Sequence, residues 1–167
     1  MDLYLLRHGI AVTFDDLDYE RDAERPLTSK GKRQLRQTAA AMKNLGLRFD
    51  LIFSSPYLRA RQTAEIVARA VKRQKQLAFT HDLTPDGNPK ELLQQLNAMY
   101  PKATAILLVG HEPYLSHLVS LLATGGPDLT MDFKKGGLCK LETEKLNYGR
   151  CATLAWLLTP RQMKWMA

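Results

Sequence analysis

The sequence predicts an α/β protein, a three-layer α/β/α sandwich whose central sheet is mostly parallel with an antiparallel edge hairpin. Three observations carry this. Short apolar runs at residues 3–6, 51–53 and 104–109 read as buried strands. Between them, apolar residues recur at helical spacing, and alternating strand and helix implies a parallel sheet covered on both faces. The C-terminal part instead holds two β-rich runs, 138–142 and 151–158, that turn near Tyr148-Gly149, as an antiparallel hairpin on the sheet edge would.

Each element follows from its own residues. The run 3–6 ends in Arg7-His8-Gly9, so the first strand delivers those three residues to its carboxyl end. Between Ala11 and Pro26 the chain is polar and acidic without a clear period, which predicts a loop over the sheet edge. Leu35, Ala39, Met42 and Leu45 define a helix over 29–45, with Thr28 or Ser29 as N-cap and Gly46 as its stop. The second strand ends in Ser54-Ser55-Pro56 and feeds a helix marked by Ala60, Ala64, Val67 and Val71. A weaker strand at 77–79 precedes a helix capped by Asn88-Pro89 and carrying Leu92, Leu93, Leu96 and Met99. The run 104–109 leads into Gly110-His111-Glu112-Pro113 and a helix with Leu115, Leu118, Val119 and Leu122, closed by Gly125-Gly126.

The chain has 167 residues, the size of one domain (1–167), and no internal repeat or linker divides it. No apolar run approaches the roughly 20 residues that cross a bilayer, so no membrane association is expected. The opening Met1-Asp2-Leu3-Tyr4 does not read as a secretory signal, which makes the cytoplasm the expected location. Cys139 and Cys151 are expected as reduced, packed thiols on two neighbouring strands. The net charge of +7 favours an anionic partner without choosing among nucleic acid, an acidic protein and a phosphate ester. Much of it falls on Lys30, Lys32, Arg33 and Arg36 of one helix and on Arg69, Lys72, Arg73 and Lys75 at the end of another, where a solvated face is the ordinary reading.

Ligands in such sheets sit beyond the carboxyl ends of the strands. Three strands here end in residues suited to phosphate: Arg7-His8-Gly9, then Ser54-Ser55-Pro56-Tyr57-Leu58-Arg59 at a helix start, and Gly110-His111. If they converge, two arginines, two histidines and a helix N-terminus share one pocket. An arginine fork matches phosphoryl oxygens, and a neutral histidine among them can attack phosphorus.

These residues resemble the histidine phosphatase superfamily, the phosphoglycerate-mutase-like proteins, whose signature is Arg-His-Gly after the first strand. The resemblance implies that His8 is the nucleophile and that Arg7 binds the phosphoryl group. Ser55-Pro56-Tyr57-Leu58-Arg59-Ala60-Arg61-Gln62-Thr63-Ala64 matches a second family segment, which makes Arg59 the second phosphate arginine. His111 matches the second family histidine, implied to be a cationic donor to phosphoryl oxygens. The segment from Asp22 to Thr28, followed by Gly31, and the segment Leu83-Thr84-Pro85-Asp86-Gly87 resemble the SixA-like branch of small phosphohistidine phosphatases. That likeness adds Arg25 to the phosphate-holding residues. It implies no cofactor and no metal.

Proton supply is the least determined part. Mutase-type relatives carry a glutamate in the loop after the third strand, where this chain has Leu83-Thr84-Pro85-Asp86. Asp22, Glu112 and Asp86 remain candidate proton donors, unranked. Expelling an alkoxide benefits from a general acid, whereas a phosphoramidate needs less help, which favours phosphohistidine as substrate. The expected partner is therefore a phosphorylated histidine phosphotransfer domain of a signalling relay. Small phosphate esters are the enzymatic alternative, and a non-catalytic phosphate- or nucleic-acid-binding module is the alternative from another class. The chain lacks the aromatic interleaving of single-strand binders, so no nucleic acid is expected. Each residue also has an ordinary reading: Arg59 as a surface helix residue, His111 as a core histidine or helix cap, Asp22 and Arg25 as a loop ion pair. Arg61, His81 and His117 are read as surface or structural.

Overall fold

The computed structural model describes residues 1–13 and 21–167. Its strands are β1 (Asp2–Arg7), β2 (Leu51–Ser54), β3 (Leu77–Phe79), β4 (Ala105–Gly110), β5 (Leu138–Thr143) and β6 (Ala152–Leu158). Its helices are α1 (Ser29–Asn44), α2 (Leu58–Ala70), α3 (Pro89–Met99), α4 (Tyr114–Thr124) and α5 (Pro160–Lys164). The strands form one sheet in the order β3-β2-β4-β1-β5-β6. β1 to β4 are mutually parallel, and β5 and β6 add the antiparallel edge hairpin that the sequence predicts.

Alternation along the central strands sorts the core into two layers. Tyr4, Leu6, Ile52, Leu107 and Val109 face α1, α2 and α5, where they bury Ala39, Met42, Ala60, Ala64, Val67 and Met163. Leu3, Leu5, Leu51, Phe53, Ile106 and Leu108 face α3 and α4 and bury Leu92, Leu96, Leu115, Leu118 and Leu122. β1 and β4 are buried on both faces, which is why they read as unbroken apolar runs instead of alternating ones.

Helix limits obey the expected caps. The Thr28 hydroxyl accepts from the Gly31 N–H at 2.9 Å and starts α1, and Gly46, at φ +68°, turns the chain away after it. Asn88 caps α3 with a proline in its first turn, and Gly125, at φ +92°, closes α4. The final helix, α5, escapes periodicity because five residues are too few to show any. It is defined by a capping box between Thr159 and Gln162.

The loop predicted between Ala11 and Pro26 leaves an inner strand, β1, flanked by β4 and β5. Residues 14–20 of that loop lie outside the described residues. The remainder bridges Ala11 to Leu27 and forms a short 3-10 turn at Asp22–Glu24 near the carboxyl end of the sheet. The two cysteines are free, as expected; Cys139 lies on β5 opposite Leu157, while Cys151 is the residue before β6. Burial pushes the Cys139 thiol up to about 12, so it is not a nucleophile at neutral pH.

The start of α1 sits against the chain leaving β1. The Ile10 carbonyl accepts from the Thr28 N–H at 2.9 Å, and a Cβ on Gly31 would lie 2.2 Å from that same oxygen. Neither backbone has room to yield. Gly31→Ala is expected to destabilise the fold by about 2 kcal/mol, the scale of a forced overpacking, measured by urea unfolding; an unchanged midpoint would contradict this packing.

Candidate active site

The sheet register brings the predicted residues together. Arg7 pairs with Gly110 at the ends of β1 and β4, so His8 and His111 follow side by side, with ring centroids 5.0 Å apart. The His8 N–H donates to the Gly110 carbonyl at 3.0 Å, and the Ser55 N–H donates to Val109 at 3.0 Å, which locks the three strand ends to one another. Arg59 projects from the first turn of α2 into the same place and is only 4% exposed.

His8 is held as a neutral imidazole of defined tautomer. Its Nδ1 lies 2.7 Å from the Gly9 carbonyl oxygen. A carbonyl can only accept, so Nδ1 carries the ring proton. Nε2 is then the lone-pair nitrogen, and the Arg59 Nε–H donates to it at 3.2 Å. Burial drives the His8 pKa down to about 3; the Gly9 carbonyl works in the opposite direction, and the charges of Arg59, Arg7 and Lys135 add to the fall. Thr63 supports the backbone here, accepting from the Gly9 N–H at 3.2 Å while donating to the Arg59 carbonyl at 2.7 Å. Gln62 accepts from the Leu27 N–H at 2.8 Å. The Gln-Thr pair of the second motif therefore braces the site without touching its centre.

Arg59 is aimed by Asp22. Its two terminal nitrogens donate to the Asp22 backbone carbonyl at 2.7 Å and to Asp22 Oδ2 at 2.8 Å. Asp22 also accepts from Arg25 Nε at 2.8 Å, and Arg25 is anchored in turn on the Val12 carbonyl at 2.9 Å. Burial raises the pKa of Asp22, but hydrogen bonds from Arg59 and Arg25 outweigh it and hold the carboxyl below the usual range. An ionised Asp22 positions cations and has no proton to give.

Two buried nitrogens near His8 have no partner among the described residues: Arg7 Nε, which is a donor, and His111 Nδ1. Arg7 is otherwise tied down, donating to the Phe133 carbonyl at 2.7 Å. His111 Nε2 meets the Ser55 hydroxyl at 2.8 Å, and the Tyr57 ring packs edge-on against it. Unpartnered buried polar atoms are rare and call for an explanation. In the protein's own field, with no anion beside it, burial first, then His8 and Arg59, hold His111 neutral. A phosphoryl dianion alongside would act in the opposite direction.

Glu112 accepts from the Ser116 N–H at 3.0 Å and from the Ser116 hydroxyl, within the first turn of α4, and its charge is felt at Arg7. Asp86 is exposed on the loop before α3. Arg61 is exposed and paired with Glu65, and His81 and His117 are exposed. The residue that periodicity and motifs did not single out is Lys135. Its neighbours Gly136 and Gly137 bond to Arg7 and His8: the Gly136 N–H meets the Arg7 carbonyl at 3.0 Å, and Gly137 accepts from the Arg7 N–H at 3.1 Å. Burial and the charges of Arg7, Arg25 and Arg59 lower the Lys135 ammonium pKa. Lys134-Lys135-Gly136-Gly137 before the first strand of the C-terminal hairpin was the available signal, and only the sheet order gives it meaning.

Comparison with known proteins bears on this arrangement. The model of the histidine phosphatase superfamily, branch 1, matches residues 3–84, which contain His8, Arg7, Arg25 and Arg59. A Picosynechococcus protein is 39% identical over 144 residues, covering 86% of each chain. The chain belongs to the histidine phosphatase superfamily. Phosphohistidine phosphatase SixA of Escherichia coli K12 is 27% identical over 165 residues, 98% of this chain and 97% of that protein. A solved structure of the protein histidine phosphatase SixA complexed with tungstate superimposes with a TM-score of 0.83 at 27% identity, covering 96% of this chain and 98% of that one. As a member of this superfamily, the chain is a phosphatase, a hydrolase.

Among the described residues, no group of three or more His, Cys, Asp or Glu side chains is placed to hold a metal ion. Among the described residues, Arg7 and Arg59 bring positive charge to the neighbourhood of His8. Proton NMR of the ring Cε1–H signals is expected to show neither His8 nor His111 titrating between pH 7 and 5, with His111 alone gaining a proton when tungstate is added. A His8 midpoint near the ordinary value of about 6.5 would contradict the assigned tautomer and burial.

Proposed function

We propose that this protein is a metal-independent phosphohistidine phosphatase acting on phosphorylated proteins, with histidine phosphotransfer domains of signalling relays as its substrate class. The observation that supports it most is the pairing of a neutral His8, its Nε2 lone pair held by Arg59, with the unpartnered nitrogens Arg7 Nε and His111 Nδ1. A phosphoryl group set in line with Nε2 would accept from Arg7 Nε and, once its charge has protonated His111, from Nδ1 as well. The likeness of the whole chain to SixA points the same way.

In the proposed reaction, His8 Nε2 attacks phosphorus while the P–N bond to the substrate imidazole breaks, and the leaving imidazole takes up a proton. Arg7, Arg59 and His111 stabilise charge on the three equatorial oxygens. Water then displaces phosphate from the phosphoenzyme and regenerates His8. Arg25 acts through Asp22, which orients Arg59. Because Asp22 is held ionised, the carboxylate bonded to the phosphate arginines does not supply the acid that an alkoxide leaving group needs. Imidazole does not need it. This favours phosphohistidine over sugar phosphates.

The test is turnover of a phosphorylated histidine phosphotransfer domain, free phosphohistidine and a panel of phosphate esters. Phosphohistidine is expected to be hydrolysed far faster than the esters, without loss of rate on adding a chelator. His8→Ala should abolish turnover, and Arg59→Ala should lower kcat/KM by about 100- to 1,000-fold, the scale of removing a donor to the transition state. Preference for esters would establish a small-molecule phosphomonoesterase instead, and inertness towards all of them a binding module.

A further inference from the structure

An open groove of about 580 Å³ leads away from Arg7 between the first half of α1, the chain before β5 and the start of α5. Gln34, Lys135, Pro160 and Arg161 line it. It is tied to the active site through Arg7 at its inner end and through Gly136, which follows Lys135 and whose N–H meets the Arg7 and His8 carbonyls at 3.0 and 3.1 Å. A Cβ there would stand 3.4 Å from both Gln34 Oε1 and Pro160 Cγ. Its φ of +78° lets the chain pass at that closeness.

Cations predominate in the groove: Arg7, Lys134, Lys135 and Arg161 line it against one carboxylate, Asp132. Lys134 is paired with Asp132. Lys135 and Arg161 are exposed and, among the described residues, form no ion pair, while Arg7 stands at the inner end. Lys135 also feels the repulsion of Arg7, Arg25 and Arg59, which an anionic partner would relieve. Long, exposed cations around an open depression are the makings of an interface rim, where charge steers a partner and sets its register.

We propose that this groove is the docking surface for an acidic segment of the phosphoprotein, next to its phosphohistidine, with Lys135 and Arg161 as the contacts that select it. The proposal rests on the phosphohistidine reading above and goes beyond it by naming what distinguishes one phosphoprotein from another. The phosphoryl group enters beside His8, the adjoining backbone passes over Arg7, and acidic side chains reach the two free cations.

The test uses the full chain and three substrates: free phosphohistidine, a phosphohistidine peptide flanked by Asp and Glu, and the same peptide flanked by Asn and Gln. The wild type is expected to prefer the acidic peptide by about tenfold in kcat/KM, through KM, with the preference fading as salt rises. Arg161→Glu, which alters an exposed side chain and leaves thermal unfolding unchanged, should erase that preference while free phosphohistidine is turned over as before. Lys135→Gln should weaken the preference in the same direction. Equal use of the two peptides by the wild type, or a preference that survives Arg161→Glu, overturns the docking surface and leaves the phosphohistidine reading standing. Failure to hydrolyse phosphohistidine in any form overturns both. If Arg161→Glu instead slows a sugar bisphosphate and not the acidic peptide, the groove is a subsite for a small anion and the proposal is wrong.

Discussion

The ring proton of His8 has one place to go, the Gly9 carbonyl 2.7 Å from Nδ1, and almost everything else about the site follows from it. With Nδ1 protonated, Nε2 keeps its lone pair, and with the imidazole buried that lone pair is not lost to a proton at neutral pH. Gly9 adopts its place because the chain leaving β1 is held by Thr63 on one side and packed beneath Leu27 and Leu35 on the other. The fold thus exerts its influence through a single backbone carbonyl. A ring free to rotate would expose either nitrogen to solvent and would titrate near pH 6.5.

Cationic charge is the second constraint. Arg7, Arg59 and two histidines meet at one point, and burying them would be costly without compensation. The structure offsets this in two ways. Burial keeps both imidazoles neutral, and the carboxylate of Asp22 bridges Arg59 and Arg25. The same carboxylate that makes the cluster tolerable also fixes the direction of Arg59, whose Nε is left pointing at His8. What remains without a partner is two nitrogens, Arg7 Nε and His111 Nδ1, on a guanidinium with no ion pair among the described residues and a neutral imidazole. Such a site is prepared for an anion and stable without one.

The sheet and the histidine-arginine cluster were legible because they rest on patterns that a sequence displays directly. Runs at 3–6 and 105–109 are apolar throughout because both faces of β1 and β4 are covered, and the residues after them must meet once those strands are neighbours. The Thr28 and Asn88 caps were legible for the same reason, since a cap acts over three residues. What escaped was set by tertiary contact. The loop after Ala11 has no period to reveal that Asp22 turns inward to Arg59. The five-residue α5 is too short to show periodicity. Lys135 acquires meaning only because β5 lies beside β1, which places the two preceding lysines near Arg7. The neutral state of His111 in the protein's own field was not legible either, because an imidazole's protonation depends on burial and on neighbours that no motif records.

The central claim is that neutral His8, through Nε2, receives the phosphoryl group. It is tested most directly by mixing the protein with free phosphohistidine, quenching in alkali within the first turnover, and locating the phosphate by fragmentation of the digested chain and by phosphorus NMR. The account predicts a single phosphohistidine, on His8 and bonded through Nε2, absent in His8→Asn. Phosphate bonded through Nδ1 or carried on His111, or release of phosphate with no phosphoenzyme at all, would contradict it.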